Sequence, residues 1–523
     1  SSSSAASDVY KRQVFTADFA LPGMRIALVA HPGRFGAKVK GFDAAETKKV
    51  PGVVDVVAIP QGVAVLASGF WAAKKGRDAL RVEWDESAAE KRGTAELAAE
   101  YRELLGQPGA VARHDGDAEA ALATAAKVVA ADFEFPFLAH APMEPLDCVL
   151  RRTEQGCEVW AGSQIQTGDQ AAIAGVLGLK PEQVSLTTLL AGGSFGRRAT
   201  PASEFVAEAA EILKATGGRY PVKLLWTRED DLRGGYYRPM FFHRVRAGLD
   251  ATGKVIAWSH RIVGQSIMAG TSFEAFSVKD GIDSSSVEGI AELPYAIPNV
   301  RVELHSPRVG VPVLWWRSVG HSQNAYAVEA FLDQVARAAG KDPLALRREL
   351  LAGHPRHLAA LELAADKAGW GRPLPAGRAR GLAVHESFGS VVAEVAEVSA
   401  GEGGVPRVER VVCAVDCGLA INPDTIRAQM EGGVGYGLAA ALHGEITLEA
   451  GRVVQGNFTQ YRPLRFAEMP AVEVHIVPST QPPSGVGEPG LPPIAPAVAN
   501  AWLALRGEPI HRLPFRRQGK SAG

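Results

Sequence analysis

The sequence predicts a mixed α/β (α+β) fold made of several domains, and three observations carry that expectation. Short Val/Ile/Leu/Ala-rich runs bounded by glycine and proline recur along the whole chain, as strands do. Between them, apolar residues spaced i, i+3, i+4, i+7 mark helices, as at Val206, Ala209, Ala210 and Leu213 and again at Val328, Phe331, Leu332 and Val335. The length of 523 residues points to three or four domains at about 150 residues each. The 56 glycines and 33 prolines fit a loop-rich enzyme-sized protein better than a helical array.

The elements follow in order. Residues 1–13 are serine-rich without an apolar stretch, so they read as an unstructured leader and not a signal peptide. From 14 to 90, Ile26–Ala30, Val53–Ile59 after the turn Pro51-Gly52, and Val63–Ala67 read as strands. A helix near 72–79 and a strand over 80–84 complete a small α/β module. Residues 86–127, rich in Ala, Glu, Lys and Arg and broken by Gly106-Gln107-Pro108-Gly109, read as a helical connector. Strands are expected near 128–135 and 146–151, before Trp160, over 184–190 and over 472–476. Ser203, Asp342-Pro343 and Asn422-Pro423 are expected helix starts.

Composition excludes several functions. Lys plus Arg (56) nearly cancels Asp plus Glu (57), and a net charge of -1 leaves no basic surface for nucleic acid. No run of 18 apolar residues offers a transmembrane segment. Four cysteines, at 148, 157, 413 and 417, form no CxxC pair and read as core residues, with Cys413 and Cys417 on the same side of one strand.

Four segments could carry chemistry. Ala191-Gly192-Gly193-Ser194-Phe195-Gly196-Arg197-Arg198 offers backbone amides and two arginines to an anion, or is a structural tight turn. Gly485-Val486-Gly487-Glu488-Pro489-Gly490 spells GxGxxG, but Pro489, Pro492 and Pro493 interrupt the helix that a dinucleotide needs. What it does offer is one carboxylate, Glu488, in a stiff loop, suited to a general base or else simply solvated. Trp315-Trp316-Arg317-Ser318-Val319-Gly320 could orient an anion or only pack. In Asp416 to Gly432, Glu431 reads as a buried, hydrogen-bonded carboxylate.

In their order along the chain, these segments resemble the molybdenum hydroxylases, the xanthine oxidase/aldehyde oxidoreductase family, in its large molybdopterin-binding subunit. The segments are Met143-Glu144-Pro145, Gln164, GGSFGRR, Thr227 to Asp230, Arg317 to Gly320, Asp416 to Gly432 and Gly485 to Glu488. His321 after Gly320 and Ala414 to Gly418 are most similar to beta subunits of the isoquinoline 1-oxidoreductase type. The resemblance covers about residues 14 to 515. It implies a hammerhead α/β domain over 14–90, a helical connector over 91–127 and molybdopterin-binding domains over 128–310 and 311–523. It implies that Glu488 is the base that activates a molybdenum-bound hydroxyl, that Gln164 bonds the apical ligand, that Gly193, Phe195, Gly196 and Arg197 line the cofactor, and that Arg317 belongs to a second cofactor loop. Glu144, Asp416 and Glu431 would be structural.

Departures from the family narrow the substrate. Ala199 stands where purine hydroxylases carry a glutamate, and Ser318 where carbon monoxide dehydrogenases carry a cysteine. An aldehyde or an N-heteroaromatic substrate remains. The resemblance further implies a molybdopterin, in its cytosine dinucleotide form, with molybdenum, and a small partner subunit carrying the [2Fe–2S] clusters. The family's Gly-Gln-Gly loop occurs nowhere in the chain. An alternative expectation is therefore a non-catalytic or incomplete part of such a subunit, completed by a further chain. A nucleotide-dependent dehydrogenase built on 485–490 is the third.

Overall fold

The computed structural model describes residues 13–515, so the leader expected over 1–13 lies outside the described residues except for Gln13. Three sheets organise the chain. The first has seven strands in the order Val184–Thr188, Cys157–Ala161, Asp147–Arg152, Val222–Leu225, Arg25–Ala30, Gly62–Ala67 and Val53–Ile59. Its buried face is covered by the helix Glu204–Ala215, whose Val206, Ala209, Ala210 and Leu213 are buried as their spacing predicts. Ser203 precedes that helix, but it is left-handed (φ 48°) and its side chain does not cap. Thr200 Oγ1 accepts from the Glu204 amide at 3.4 Å instead.

The expected 14–90 module does not stand apart. Arg25–Ala30 pairs in parallel with Val222–Leu225, so the early strands extend a sheet completed two hundred residues later. That pairing covers an edge that would otherwise expose unpaired backbone groups. The expected helical connector also needs correction. It holds the helices Thr94–Leu105 and Ala118–Thr124, but between them Ala110–Asp115 is the edge strand of a five-stranded sheet, antiparallel to Val300–His305.

The third sheet runs Arg378–Ser387, Ser390–Ala400, Pro406–Asp416, Ala471–Ile476. Its Val-rich second strand is buried along nearly its whole length, Glu394 and Glu397 included. One core joins the second and third sheets through the helices His321–Ala338, Pro355–Ala368 and Ile494–Arg506, and it continues across residue 310 without a break. Gly381 lets the last helix lie directly on the sheet, because a Cβ there would sit 2.5 Å from the Asn500 carbonyl carbon.

A buried polar hub fixes the helix His321–Ala338 at its middle. Glu329 accepts from Tyr295 Oη (2.5 Å), Arg347 Nε (3.0 Å) and the Val384 amide (3.0 Å). Arg347 also donates to Asp333 (2.6 Å), and Asn500 bridges the Glu329 and Leu382 carbonyls. The ion pairs are fully desolvated, so removing one partner strands a charge. Arg347→Met is expected to cost about 3–5 kcal/mol of stability in urea unfolding. Burial already pushes Asp333 up to about 6, so the loss should shrink on acidification, as the stranded acids take up protons.

Candidate active site

Two loops and one helix meet here. In the first loop Gly193 (φ 101°), Phe195 (φ 59°) and Gly196 (φ 108°) are all left-handed. A Cβ on Gly196 would lie 2.6 Å from the Trp315 carbonyl oxygen, so glycine is what lets the two loops touch. The Arg317 amide then donates to the Phe195 carbonyl at 3.0 Å. Glu144 holds the loop from behind, accepting from the Gly192 amide at 2.7 Å. Gln164 lies across it: its amide donates to the Arg198 carbonyl (3.1 Å), and its Oε1 accepts from the Ser194 hydroxyl.

Both loop arginines are buried and each is paired with a carboxylate of the chain. Arg198 is fully buried, bonded to Asp147 (3.0 Å) and to the Pro145 carbonyl (3.0 Å). Arg197 is 2% exposed, paired with Glu204 and packed over the Tyr236 ring at 4.7 Å. Glu204 takes Arg197 Nη1 alone, and Arg197 Nε and Nη2 have no hydrogen-bond partner among the described residues.

The second loop is strained. Ser318 (φ 80°) and Val319 (φ 50°) are consecutive left-handed residues, a conformation that a β-branched side chain strongly disfavours. Ordered partners hold it. The Ser318 amide donates to Glu488 Oε1 at 2.9 Å, and its hydroxyl donates to the Glu488 carbonyl at 3.0 Å. Arg317 clamps the same segment, giving Nε (2.9 Å) and Nη2 (2.5 Å) to the Gly487 carbonyl and Nη2 to Gln429 Oε1 (2.9 Å). From below, the Glu488 loop rests on the helix Pro423–Leu442. A Cβ on Gly433 would lie 2.7 Å from the Gly490 carbonyl carbon. No helix follows the GxGxxG run directly, since the next begins at Ile494, so its amides do not form a dinucleotide site.

Three stacked rings tie these parts together. Phe195 lies on Tyr436 (4.1 Å, 17°), and Tyr436 lies on Trp316 (4.6 Å, 21°). Beside them opens a cavity of about 650 Å³, with Phe195, Arg317, Gly432, Gly435 and Tyr436 in its wall. A Cβ on Gly432 would meet nothing nearer than Arg317 Nη1 at 3.7 Å, so that glycine leaves room for a ligand instead of easing a backbone contact. A cavity of this size, with an aromatic wall, left-handed glycine loops and few polar groups, fits a flat organic cofactor. Glu431 corrects its expected role: it is exposed and lines the cavity. Asp416 is structural as expected, accepting from Arg356 Nε at 3.1 Å and the Gly418 amide at 3.1 Å.

The sequence pattern of the molybdopterin cofactor-binding domain matches this chain twice, over residues 105–351 and 364–470. The chain is 31% identical to isoquinoline 1-oxidoreductase subunit beta of Brevundimonas diminuta, over 95% of this chain and 65% of that protein. The chain belongs to the molybdopterin-binding large subunits of the molybdenum hydroxylases. A second relative, the membrane-bound aldehyde dehydrogenase [pyrroloquinoline-quinone] of Gluconacetobacter polyoxogenes, is 31% identical over 93% of this chain and 67% of its own length. The chain thus spans about two thirds of these relatives. Quinoline 2-oxidoreductase from Pseudomonas putida 86 shares the fold, with a TM-score of 0.82 at 16% identity, covering 98% of this chain and 96% of that one.

Two residues of the site escaped the sequence reading. Tyr436 lies four residues after Gly432, one helical turn along the cavity wall, a spacing that could have revealed it. Glu288 donates nothing to any motif, yet it accepts from the Gly320 amide at 2.6 Å. Gly433→Ala is expected to push the 485–490 loop off its helix, lowering stability by about 1–3 kcal/mol in thermal or urea unfolding. A neutral result would mean that the loop is not seated there.

Proposed function

We propose that the chain is the catalytic subunit of an oxidoreductase that hydroxylates an aldehyde or an N-heteroaromatic carbon with oxygen derived from water. The observation that carries this reading is Glu488. Its Oε1 is tied to the Ser318 amide, while Oε2 accepts no bond from the described residues. A carboxylate whose direction is fixed and whose second oxygen is free suits a general base.

When bound, the molybdenum cofactor supplies the acceptor for two electrons. The chain's own residues do the rest. Gly193, Phe195 and Gly196 would seat the cofactor against the first loop, and the side-chain Nε2 of Gln164 would donate a hydrogen bond to it. Arg317 acts through the backbone: by holding the Gly487 carbonyl it fixes where Glu488 points. Glu488 takes a proton at Oε2 and so activates the attacking oxygen. Trp315, packed edge-on against Phe273 at 5.8 Å, offers an aromatic wall for a flat substrate.

The departures at Ala199 and Ser318 disfavour purines and carbon monoxide, and relatives named as isoquinoline and aldehyde enzymes support the two remaining classes. The four cysteines are all buried and cannot ligate a cluster. We therefore place the [2Fe–2S] clusters on a small partner subunit; the cytosine dinucleotide form of the pterin and a Gly-Gln-Gly loop elsewhere in the assembly rest on the family resemblance alone.

The test uses protein produced with its neighbouring genes in a host that makes the cofactor. Glu488→Gln should retain molybdenum at the wild-type stoichiometry and lose turnover by about 10²–10⁴-fold. Undiminished turnover would remove Glu488 as the base. Absence of molybdenum from the wild-type assembly would overturn the hydroxylase reading itself.

A further inference from the structure

Besides Glu488, the strained turn holds a second carboxylate. The Ser318 amide binds Glu488 Oε1 at 2.9 Å, and two residues on the Gly320 amide binds Glu288 Oε1 at 2.6 Å. The Val319 amide between them donates to the Trp316 carbonyl at 2.6 Å, so the two carboxylates take the first and third amides of one turn. Ser318 and Val319 are left-handed there without the freedom of glycine.

Glu288 arrives from another part of the chain, immediately after the helix Ser284–Val287. The groups around it come from four elements. Asp283 precedes its own helix, His321 opens the long helix, His385 lies on the strand Arg378–Ser387, and Glu488 sits in the loop opposite. His321 Nε2 lies 3.5 Å from Glu288 Oε2, and His321 Nδ1 lies 2.8 Å from His385 Nε2. The histidine pair packs on Gly289, where a Cβ would come within 2.6 Å of the His385 ring. Arg317, three residues before Gly320, gives its hydrogen bonds to Gly487 and Gln429.

We propose that Glu288 is a positioning residue for Glu488, the two carboxylates forming an electrostatically coupled pair across the Ser318–Gly320 turn. The proposal rests on reading Glu488 as the base, and it adds what controls that base. When Glu288 ionises, two carboxylates on one turn both carry negative charge and repel one another. Burial delays that ionisation. It pushes Glu288 up to about 8, with Asp283 and Glu488 adding to the rise and the Gly320 and His321 amides opposing it. His321 brings no compensating charge at neutral pH, since burial pulls it down to about 4. Burial, with His321 and His357 nearby, takes His385 well below the usual histidine range.

The experiment is a pH titration of the full chain, without metal, followed by infrared difference spectroscopy of protonated carboxyl groups. Wild type should lose one such band as the pH rises through about 8. Glu288→Gln, which can still accept from Gly320, should lack that band. In Glu488→Gln the band should remain and its midpoint should move to lower pH, because the neighbouring negative charge is gone. A band that survives Glu288→Gln, or a midpoint unmoved in Glu488→Gln, overturns the pairing. If Glu288→Gln does not fold, the midpoint in Glu488→Gln decides alone. In the holoenzyme, the pH profile of kcat/KM should lose an inflection near pH 8 in Glu288→Gln. Since the infrared measurement needs no cofactor, an inactive assembly with a coupled pair would reject only the hydroxylase reading, and an active one without coupling only the pair.

Discussion

Everything at the site hangs from the N-terminus of one helix, and that helix is fixed by a buried carboxylate at its centre. Glu329 gathers Tyr295, Arg347 and the Val384 amide around His321–Ala338, and Asn500 fastens the last helix to the same point. Burying these charges is unfavourable unless every one of them is matched, which makes the arrangement all-or-none. With the helix held in one place, the turn immediately before it has no room to relax. Ser318 and Val319 can then keep an unfavourable backbone conformation, and the Ser318 and Gly320 amides point at carboxylates instead of water.

The site is built mainly from main-chain atoms in close approach. Gly196 admits the Trp315 carbonyl, Gly433 admits Gly490, and Gly381 admits the last helix. Side chains enter mostly as clamps on backbone oxygens, as when Arg317 grips Gly487. Geometry carried this way is insensitive to rotamer changes but intolerant of any added methyl group. The stack of Phe195, Tyr436 and Trp316 supplies the complementary stiffness, locking both loops and the helix Pro423–Leu442 through flat faces that cannot slide without losing contact.

What could be read from the sequence was what local chemistry decides. Asn422 and Asp342 cap their helices as expected, because an Asx side chain followed by proline satisfies the first amides by itself. The strands Val53–Ile59 and Ala471–Ile476 follow from their apolar runs. What failed depended on partners distant in sequence. Ala110–Asp115 alternates too briefly to announce a strand until Val300–His305 lies beside it. Arg198 looks available until Glu144 and Asp147, some fifty residues earlier, are brought to it. Glu431 was misplaced because a helix segment rich in glycine has no apolar stripe to show which side faces inward. Glu288 belongs to no motif, and only the fold brings it to the turn.

The burial of the sulfur atoms has a practical side. Desolvation pushes Cys157 up to about 12 and takes Cys148 and Cys413 well above the usual thiol range, with Cys417 also raised. All four thiols are buried, so they stay protonated and shielded and should be silent toward alkylating reagents in the folded chain. The protein is therefore a clean background for site-directed labelling. A cysteine introduced at Met143, 75% exposed at the cavity mouth, would be a uniquely reactive handle among the described residues, letting a fluorophore or spin probe report directly on what enters.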